Sequence, residues 1–439
     1  MKLVNIHRRV VLLLMFLTGF QLAGQAQVWT LDQCLETARA NNKNLQISRN
    51  NILIGEQKQE EVKANLMPKV NFSADYKYFI DLPYQLLPAA VFGGPEGQFK
   101  EAQFGVPHNI NASLQLSMPL YSPQLRGAKE MTQIAGKVNQ LQYQKTEEQL
   151  FFDVSNLYYN AQILASQAAF LDSNLINATR LLNTMQLLHE QLMVKGTDVD
   201  KVQLQVTQLS TQQALVASKY EQLMNALKFA MGVAITEKIE VNSDIEYQDE
   251  MTYNPLSTLN FRLAKTRNQL LTSELNTLKK TLRPSVALFA SYGYTGFGYD
   301  QQPNAFLDFY PVSLVGVKLN YPLFDKTVGR KINQKQFELT NNQLQMNLIA
   351  DQNVMQVENT QLQRFTTQNY VEATLAQIEL AQSIYDQTVL QQKQGVATLT
   401  DVLLADNSLR EAQQTYISAV VDYLKADLEL KKLTGNILK

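Results

Sequence analysis

The sequence predicts a mixed α and β membrane protein in which bilayer-length strands run into long coiled-coil helices. Three observations carry this expectation. The chain opens with an export leader, four stretches alternate apolar and polar residues over ten or more positions, and long glycine-poor stretches repeat apolar residues every seventh position. Period two marks a strand with one apolar face, and period seven marks helices packed as coiled coils.

In the leader, Lys2, His7, Arg8 and Arg9 precede an apolar run from Val10 to Phe20, and Leu22-Ala23-Gly24-Gln25-Ala26 supplies small residues before Gln27. This is the pattern of a secretory signal peptide over 1–26, with an apolar core too short to span a bilayer. No later stretch reaches about 18 consecutive apolar residues, so no transmembrane helix is expected. Cys34 lacks the preceding series of a lipoprotein signal and is read as unmodified. As the lone cysteine, it also excludes an intrachain disulfide framework.

The remainder reads as two successive repeats. Met67-Pro68-Lys69-Val70 is echoed by Arg283-Pro284-Ser285-Val286, and Pro119-Leu120-Tyr121 by Pro322-Leu323-Phe324. Gly196 through Val202 is echoed by Gly395 through Val402, and Gly232 by Gly435. The landmarks keep their order, as chance matches would not. Each half reads helix, strand, loop, strand, long helix, turn, long helix. The first repeat is expected over 27–235, with strands at 66–79 and 109–121 and a hairpin turning near 196. A polar, acidic segment follows at 236–260. The second repeat is expected over 261–439, with strands at 284–297 and 311–324 and a hairpin turning near 395.

Val70, Phe72, Ala74, Tyr76 and Tyr78 alternate with Asn71, Ser73, Asp75 and Lys77, and the other three strands alternate likewise. Strands of this length can cross a bilayer, which needs about 9–11 tilted residues. Polar, turn-rich segments at Ile80–His108 and Gly298–Tyr310 are expected as outward-facing loops. Four strands cannot close a barrel, and an open edge in lipid is too costly, so copies of the chain must pool strands. Two copies would give eight strands and three would give twelve; this argument does not choose between them.

Leu150, Leu157, Leu164, Leu171, Ala178 and Met185 form one heptad row of the first long helix. Ala405, Ala412, Ala419 and Ala426 form an alanine row in the last. Roughly seventy residues at 1.5 Å each give a helix near ~100 Å. At the reversals, Gly196 and Gly395 are expected to take positive φ at a helix end, with Thr or Asp capping the next helix. Capping accounts for Asp198 and Asp401; a symmetric ring of such carboxylates around an opening would also attract cations.

Charge nearly cancels, with 39 Lys and Arg against 40 Asp and Glu, which gives no electrostatic claim on nucleic acid. The three histidines stand apart and suggest no metal site. No nucleophile elbow, phosphate loop or acid/base pair is present, so no enzyme is expected. A periplasmic coiled-coil scaffold without a transmembrane barrel remains the alternative.

Taken in order, these motifs resemble the TolC family of outer-membrane efflux proteins. Trp29-Thr30-Leu31-Asp32-Gln33-Cys34-Leu35 through Asn44-Leu45 is similar to its first helix. Pro119 and Pro322 are similar to its strand-to-helix junctions, and Gly395 through Val402 to its second periplasmic hairpin. The resemblance implies a homotrimer in the outer membrane of a Gram-negative bacterium, with a twelve-stranded transmembrane β-barrel, four strands per chain, continuous with an α-helical coiled-coil periplasmic tunnel. It implies a passive exit duct of a tripartite efflux or type I secretion system, opened by a periplasmic adaptor and energised by an inner-membrane pump of RND or ABC type, with no cofactor. The segment at 236–260 would form an equatorial band. The adaptor would engage the turns at Gly196, Thr197, Gly395 and Val396. Asp401, with Asp198 and Asp200, would stand at the periplasmic gate. Leu404 and Ala397 occupy positions where family members carry a second gate aspartate and a locking arginine.

Overall fold

The computed structural model describes residues 27–242, 253 and 257–438; the expected leader and most of the expected equatorial segment lie outside these. The elements in order are β1 (Gln27–Trp29), α1 (Leu31–Asn41), α2 (Lys43–Ala64), β2 (Lys69–Tyr78), β3 (Tyr84–Pro88), β4 (Phe99–Gln103), β5 (His108–Tyr121), α3 (Pro123–Glu190) and α4 (Gly196–Met231). There follow β6 (Ile239–Val241), α5 (Leu259–Lys280), β7 (Ser285–Tyr299), β8 (Phe306–Asn320), α6 (Lys326–Lys393) and α7 (Leu399–Leu433). The chain divides into two compact units, and α2, α3, α5 and α6 each contribute to both. No described helix is long and apolar enough to cross a membrane.

One unit comprises Asn51–Asn139 and Ala264–Gln345. Its antiparallel sheet has the order β2-β5-β7-β8. The register aligns Val70, Leu116, Ala290 and Val315 in one row and Phe72, Leu114 and Tyr292 in the next. Period-two strands in this register place these apolar rows on one face, though Phe289, Val312 and Leu314 fall on the other. The opposite face carries a polar ladder: Asn111 Nδ2 donates to Asp75 Oδ2 at 3.2 Å, and Thr295 Oγ1 donates to Asn111 Oδ1 at 3.1 Å. Neither β2 nor β8 has a second neighbour among the described residues. All of β2 is exposed, as is nearly all of β8, their large apolar side chains included.

The strand bounds differ from expectation chiefly at β8, which spans 306–320 rather than 311–324. The β7–β8 pairing closes tightly, Tyr299 opposite Phe306, so much of the loop expected at Gly298–Tyr310 is strand. The strand ends early because Pro322 has no N–H for a ladder. Asp325 Oδ1 then accepts from the N–H groups of Thr327 and Val328, at 2.8 and 3.1 Å, to start α6. The loop expected at Ile80–His108 contains a β3–β4 hairpin and a short 3₁₀ turn at Ala89–Phe92, and it exposes many apolar residues.

The other unit holds the residues up to Asn50, Gln140–Leu263 and Met346 onward. Its main core gathers Cys34, Ala38, Leu45, Leu150, Val154, Tyr158, Ala161, Met224, Leu227 and Met231 with Ile239 and Val241. Here β1 and β6 pair in parallel, and Tyr158 OH donates to Trp29 O at 3.0 Å. Burial pushes the Cys34 thiol up to about 12, and Cys34 is expected to resist alkylation by a maleimide in the native protein. Toward the hairpin ends the heptad rows meet, Leu171 and Ala178 of α3 with Leu209 and Val216 of α4. By contrast α6 buries only Thr360, Val371 and Thr374, while Leu348, Met355 and Leu362 stay exposed at seven-residue spacing. The long helices α3 and α6 each have 68 residues, and α2 and α5 each have 22.

Candidate functional site: the hairpin turns and their supports

The two helix reversals are built alike, the second on Gly395 as expected and the first not on Gly196. In the second, Gly395 has φ +74°; its N–H donates to Gln392 O and the Val396 N–H to Gln391 O, both at 2.9 Å. In the first, the positive-φ residue is Leu192, at +61°. Its N–H donates to His189 O and the Met193 N–H to Leu188 O, again at 2.9 Å. These are the bonds of a left-handed helix C-terminus. Gly196 is instead the first residue of α4, and a Cβ there would meet nothing closer than 3.6 Å. The sequence alignment of Gly196 with Gly395 is therefore corrected: Leu192 stands opposite Gly395, and Lys195 opposite Thr398. A constant offset running from Asp198 and Asp401 to the terminal glycines Gly232 and Gly435, both at φ +73°, carries the signal that would have revealed it.

Asp198 and Asp401 occupy the same position, third in their helices. Asp401 completes a capping box: Thr398 N–H and Oγ1–H donate to its Oδ2 at 2.8 and 2.6 Å, and its own N–H donates to Thr398 Oγ1 at 3.3 Å. The hydroxyl of Thr398, then its backbone N–H, hold the Asp401 carboxyl below its ordinary value. The first turn lacks this cap. Lys195 is the N-cap without a side-chain bond, and Asp198 is 3.3 Å from Lys201 Nζ. Asp200 is exposed one turn into α4. Replacing Thr398 with Ala is expected to cost about 1 kcal/mol of local helix stability, read as faster amide exchange at Leu399–Val402. Because the Asp401 value is depressed in the fold, its contribution is present above the ordinary carboxylate range and is lost as pH falls through the depressed value.

Around the turns the chain exposes apolar residues. Leu192 is 90% exposed and Val396 75%, with Met193 and Leu404 also open, and Thr197 exposed beside them. Beneath them Leu182, Met185 and Val202 form a small cluster that Leu399 of α7 joins, so the hairpins touch near their turns. Asp406 ties them together there: it accepts from Gln205 Nε2 at 2.7 Å and pairs with Arg410.

The junctions between sheet and helices also differ in detail. Pro119 lies inside β5, where the pairing skips a residue between Pro119 and Tyr121. The proline that opens α3 is Pro123, with the Ser122 hydroxyl accepting from Leu125 N–H at 3.3 Å. Pro322 sits between β8 and α6. A cation covers an aromatic ring at both junctions, Arg126 over Tyr121 at 5.2 Å and Lys326 over Phe324 at 5.6 Å.

Sequence reading missed the network around Asp427. Its Oδ1 accepts from Tyr253 OH and Arg364 Nε, both at 2.8 Å, and its Oδ2 lies 3.2 Å from Lys431 Nζ. Arg364 Nη2 also donates to Tyr423 OH at 3.1 Å. Nothing in the local pattern marks residues so far apart as partners. Burial, then the Asp427 charge, pushes the Tyr159 phenol up to about 12 and raises that of Tyr253. Raised values mean that both groups contribute stability fully below pH about 10; the share of Tyr159 is lost as pH rises through about 12, and that of Tyr253 at higher pH still. Helical circular dichroism followed upward from pH about 10 is expected to show the loss.

The fold thus defines a class: proteins that join a four-stranded membrane-type sheet to paired α-helical hairpins. The chain belongs to the outer membrane efflux protein family, whose model matches residues 34–233 and 258–436. It is 20% identical over 437 residues to the outer membrane protein TolC of Salmonella enteritidis, covering 96% of this chain and 84% of that protein. Among solved structures it is similar to the CmeC outer membrane channel of Campylobacter jejuni, with a TM-score of 0.75 and 13% identity, over 92% of this chain and 85% of that one. It is also similar to the outer membrane protein VceC of Vibrio cholerae, with a TM-score of 0.71 and 14% identity, over 92% and 96%. The protein is accordingly one of the Gram-negative outer membrane with a periplasmic extension.

Proposed function

We propose that three copies of this chain pool their strands into a twelve-stranded barrel over a periplasmic tunnel of helical hairpins. The assembly is a passive exit duct, opened by a periplasmic adaptor and energised by an inner-membrane pump of RND or ABC type. The observation that carries this reading is the sheet: four strands, one continuous apolar face, and both edges without a partner among the described residues. In lipid such edges must be paired, and only further copies supply strands of matching pattern. The exposed heptad residues of α6 support the same reading, since a neighbouring helix would cover them. Equal lengths of corresponding helices support two structural repeats.

In this duct the turns around Leu192–Thr197 and Gly395–Val396 are the adaptor's contacts, their open apolar residues providing the area. Asp401, Asp198 and Asp200 form the gate, each tripled by symmetry into a ring that attracts cations. The Asp406–Arg410–Gln205 contact holds the two hairpins together beneath it.

The test is the protein mass of the detergent-purified particle, by light scattering with the detergent subtracted. Three chains are expected; a soluble monomer would sink the shared barrel. For the gate, Asp401→Asn is expected to weaken cation preference and block by divalent cations in single-channel recordings. Unchanged selectivity and block would remove Asp401 from that role.

A further inference from the structure

The segment between β2 and β5 is a hairpin with an apolar surface. The Phe79 N–H donates to Pro107 O at 2.8 Å, continuing the β2–β5 ladder past Tyr78 and His108. Beyond it β3 and β4 pair with Leu86 opposite Glu101 and Pro88 opposite Phe99. Tyr84, Leu86 and Phe99 share one exposed face of that hairpin, while Leu87 on the other face is half-buried. Ile80, 87% exposed, and Val91 extend the open apolar area. Contiguous apolar surface on this scale marks a contact rather than a solvated loop.

The sheet topology says what the contact is. This hairpin rises from the end of β2, one open edge of the sheet. At the same end of the sheet, the other open edge begins with a second exposed apolar group, Phe306, Leu307, Phe309 and Tyr310 of β8. The row Tyr78, His108, Gly298, Leu307 shows that the two groups lie at one end of the strands. Within one chain β5 and β7 separate them. When copies join edge to edge, β2 of one meets β8 of the next, and the two groups become neighbours. Lipid is a poor cover for the hairpin, because Gln85, Lys100, Glu101 and Gln103 are interleaved with its apolar residues.

We infer that the 79–107 hairpin packs on the β7–β8 turn of the adjoining copy, against Phe306, Leu307, Phe309 and Tyr310, and so clasps neighbouring copies at the outer end of the barrel. This rests on the shared-barrel reading. The occupant is a second copy of this chain.

The experiment places a photo-reactive benzoylphenylalanine at Leu86, and separately at Phe99, in the purified particle whose mass has been measured. Irradiation is expected to give bands at two and three chain masses, with the adduct mapped by mass spectrometry to residues 300–310 of another chain. The same probe at half-buried Leu87 is expected to give at least fivefold less interchain product. A particle of three chains with only intrachain, lipid or hairpin-to-hairpin adducts, or none, overturns the clasp and leaves the barrel standing. A particle of one chain overturns both.

Discussion

Replacing Asp427 with Ala is expected to destabilise the helical unit by about 3–5 kcal/mol, the usual cost of removing one partner from a buried ion pair. The side chains of Arg364 and Asp427 are only 17% and 13% exposed, so solvent screens the pair little. Without the carboxylate, the Arg364 guanidinium keeps Tyr423 OH but loses its charge partner, and Tyr253 loses the acceptor of its hydroxyl. Thermal unfolding followed by circular dichroism measures the loss. Protease cleavage near Tyr253 is expected to quicken, because Asp427 accepts from its hydroxyl and also pairs with Lys431, which lies over the Tyr253 ring at 5.7 Å. The double replacement Asp427→Leu with Arg364→Met is expected to recover much of the loss, since it leaves no unpaired charge. If both variants lose the same amount, the network is not an electrostatic unit.

A comparable loss is expected from Gly232→Ala, and a much smaller one from Gly395→Ala. Both glycines take positive φ at a helix end, +73° and +74°. The conformational cost of a side chain is therefore shared, at roughly 1–2 kcal/mol. They differ in surroundings. A Cβ on Gly395 meets nothing within 4 Å, whereas one on Gly232 would lie 2.5 Å from Asn41 O. That oxygen is backbone, at the end of α1, and it cannot swing aside as a side chain would. Nearby, Asn42 breaks α1 from α2, donating from Nδ2 to Ala230 O at 2.8 Å and accepting from Leu45 N–H at 3.1 Å. Gly232→Ala must push α4 and α1 apart beside the main core, which adds about 1–3 kcal/mol, the usual cost of overpacking, to the shared conformational cost. Denaturation of the two variants side by side makes the comparison. Equal losses would show that the junction yields more easily than its spacing implies.

The membrane-type strands were legible because their periods are local: alternate residues face opposite sides whatever the strand pairs with. The same holds for the heptad rows of α3 and α4, whose members Leu150, Val154, Leu171 and Val202 are buried where the pattern put them or nearly so. Asp401 was legible as a cap because Thr398 lies only three residues away. The first turn was misread for the converse reason. A glycine is the ordinary marker of positive φ, and Gly196 drew the reading, while the same backbone falls at the exposed Leu192, closed by the N–H groups of Leu192 and Met193 on His189 O and Leu188 O. Pro322 ended β8 sooner than its alternation suggested, because the missing N–H outweighs apolar pattern.

By itself the sequence determined the order of the four long strands and the two long hairpins, since each depends on residues within a few positions of one another, but not the short strands β1, β3, β4 and β6. It also carried the family resemblance, which is a property of ordered motifs. Only the tertiary structure decided the strand register, the exposure of the β3–β4 hairpin, the pairing of Gln205 with Asp406 and the meeting of Tyr253, Arg364 and Asp427. Those contacts join residues tens to hundreds of positions apart, and which of many possible partners a buried charge or an open edge finds is set by packing in three dimensions.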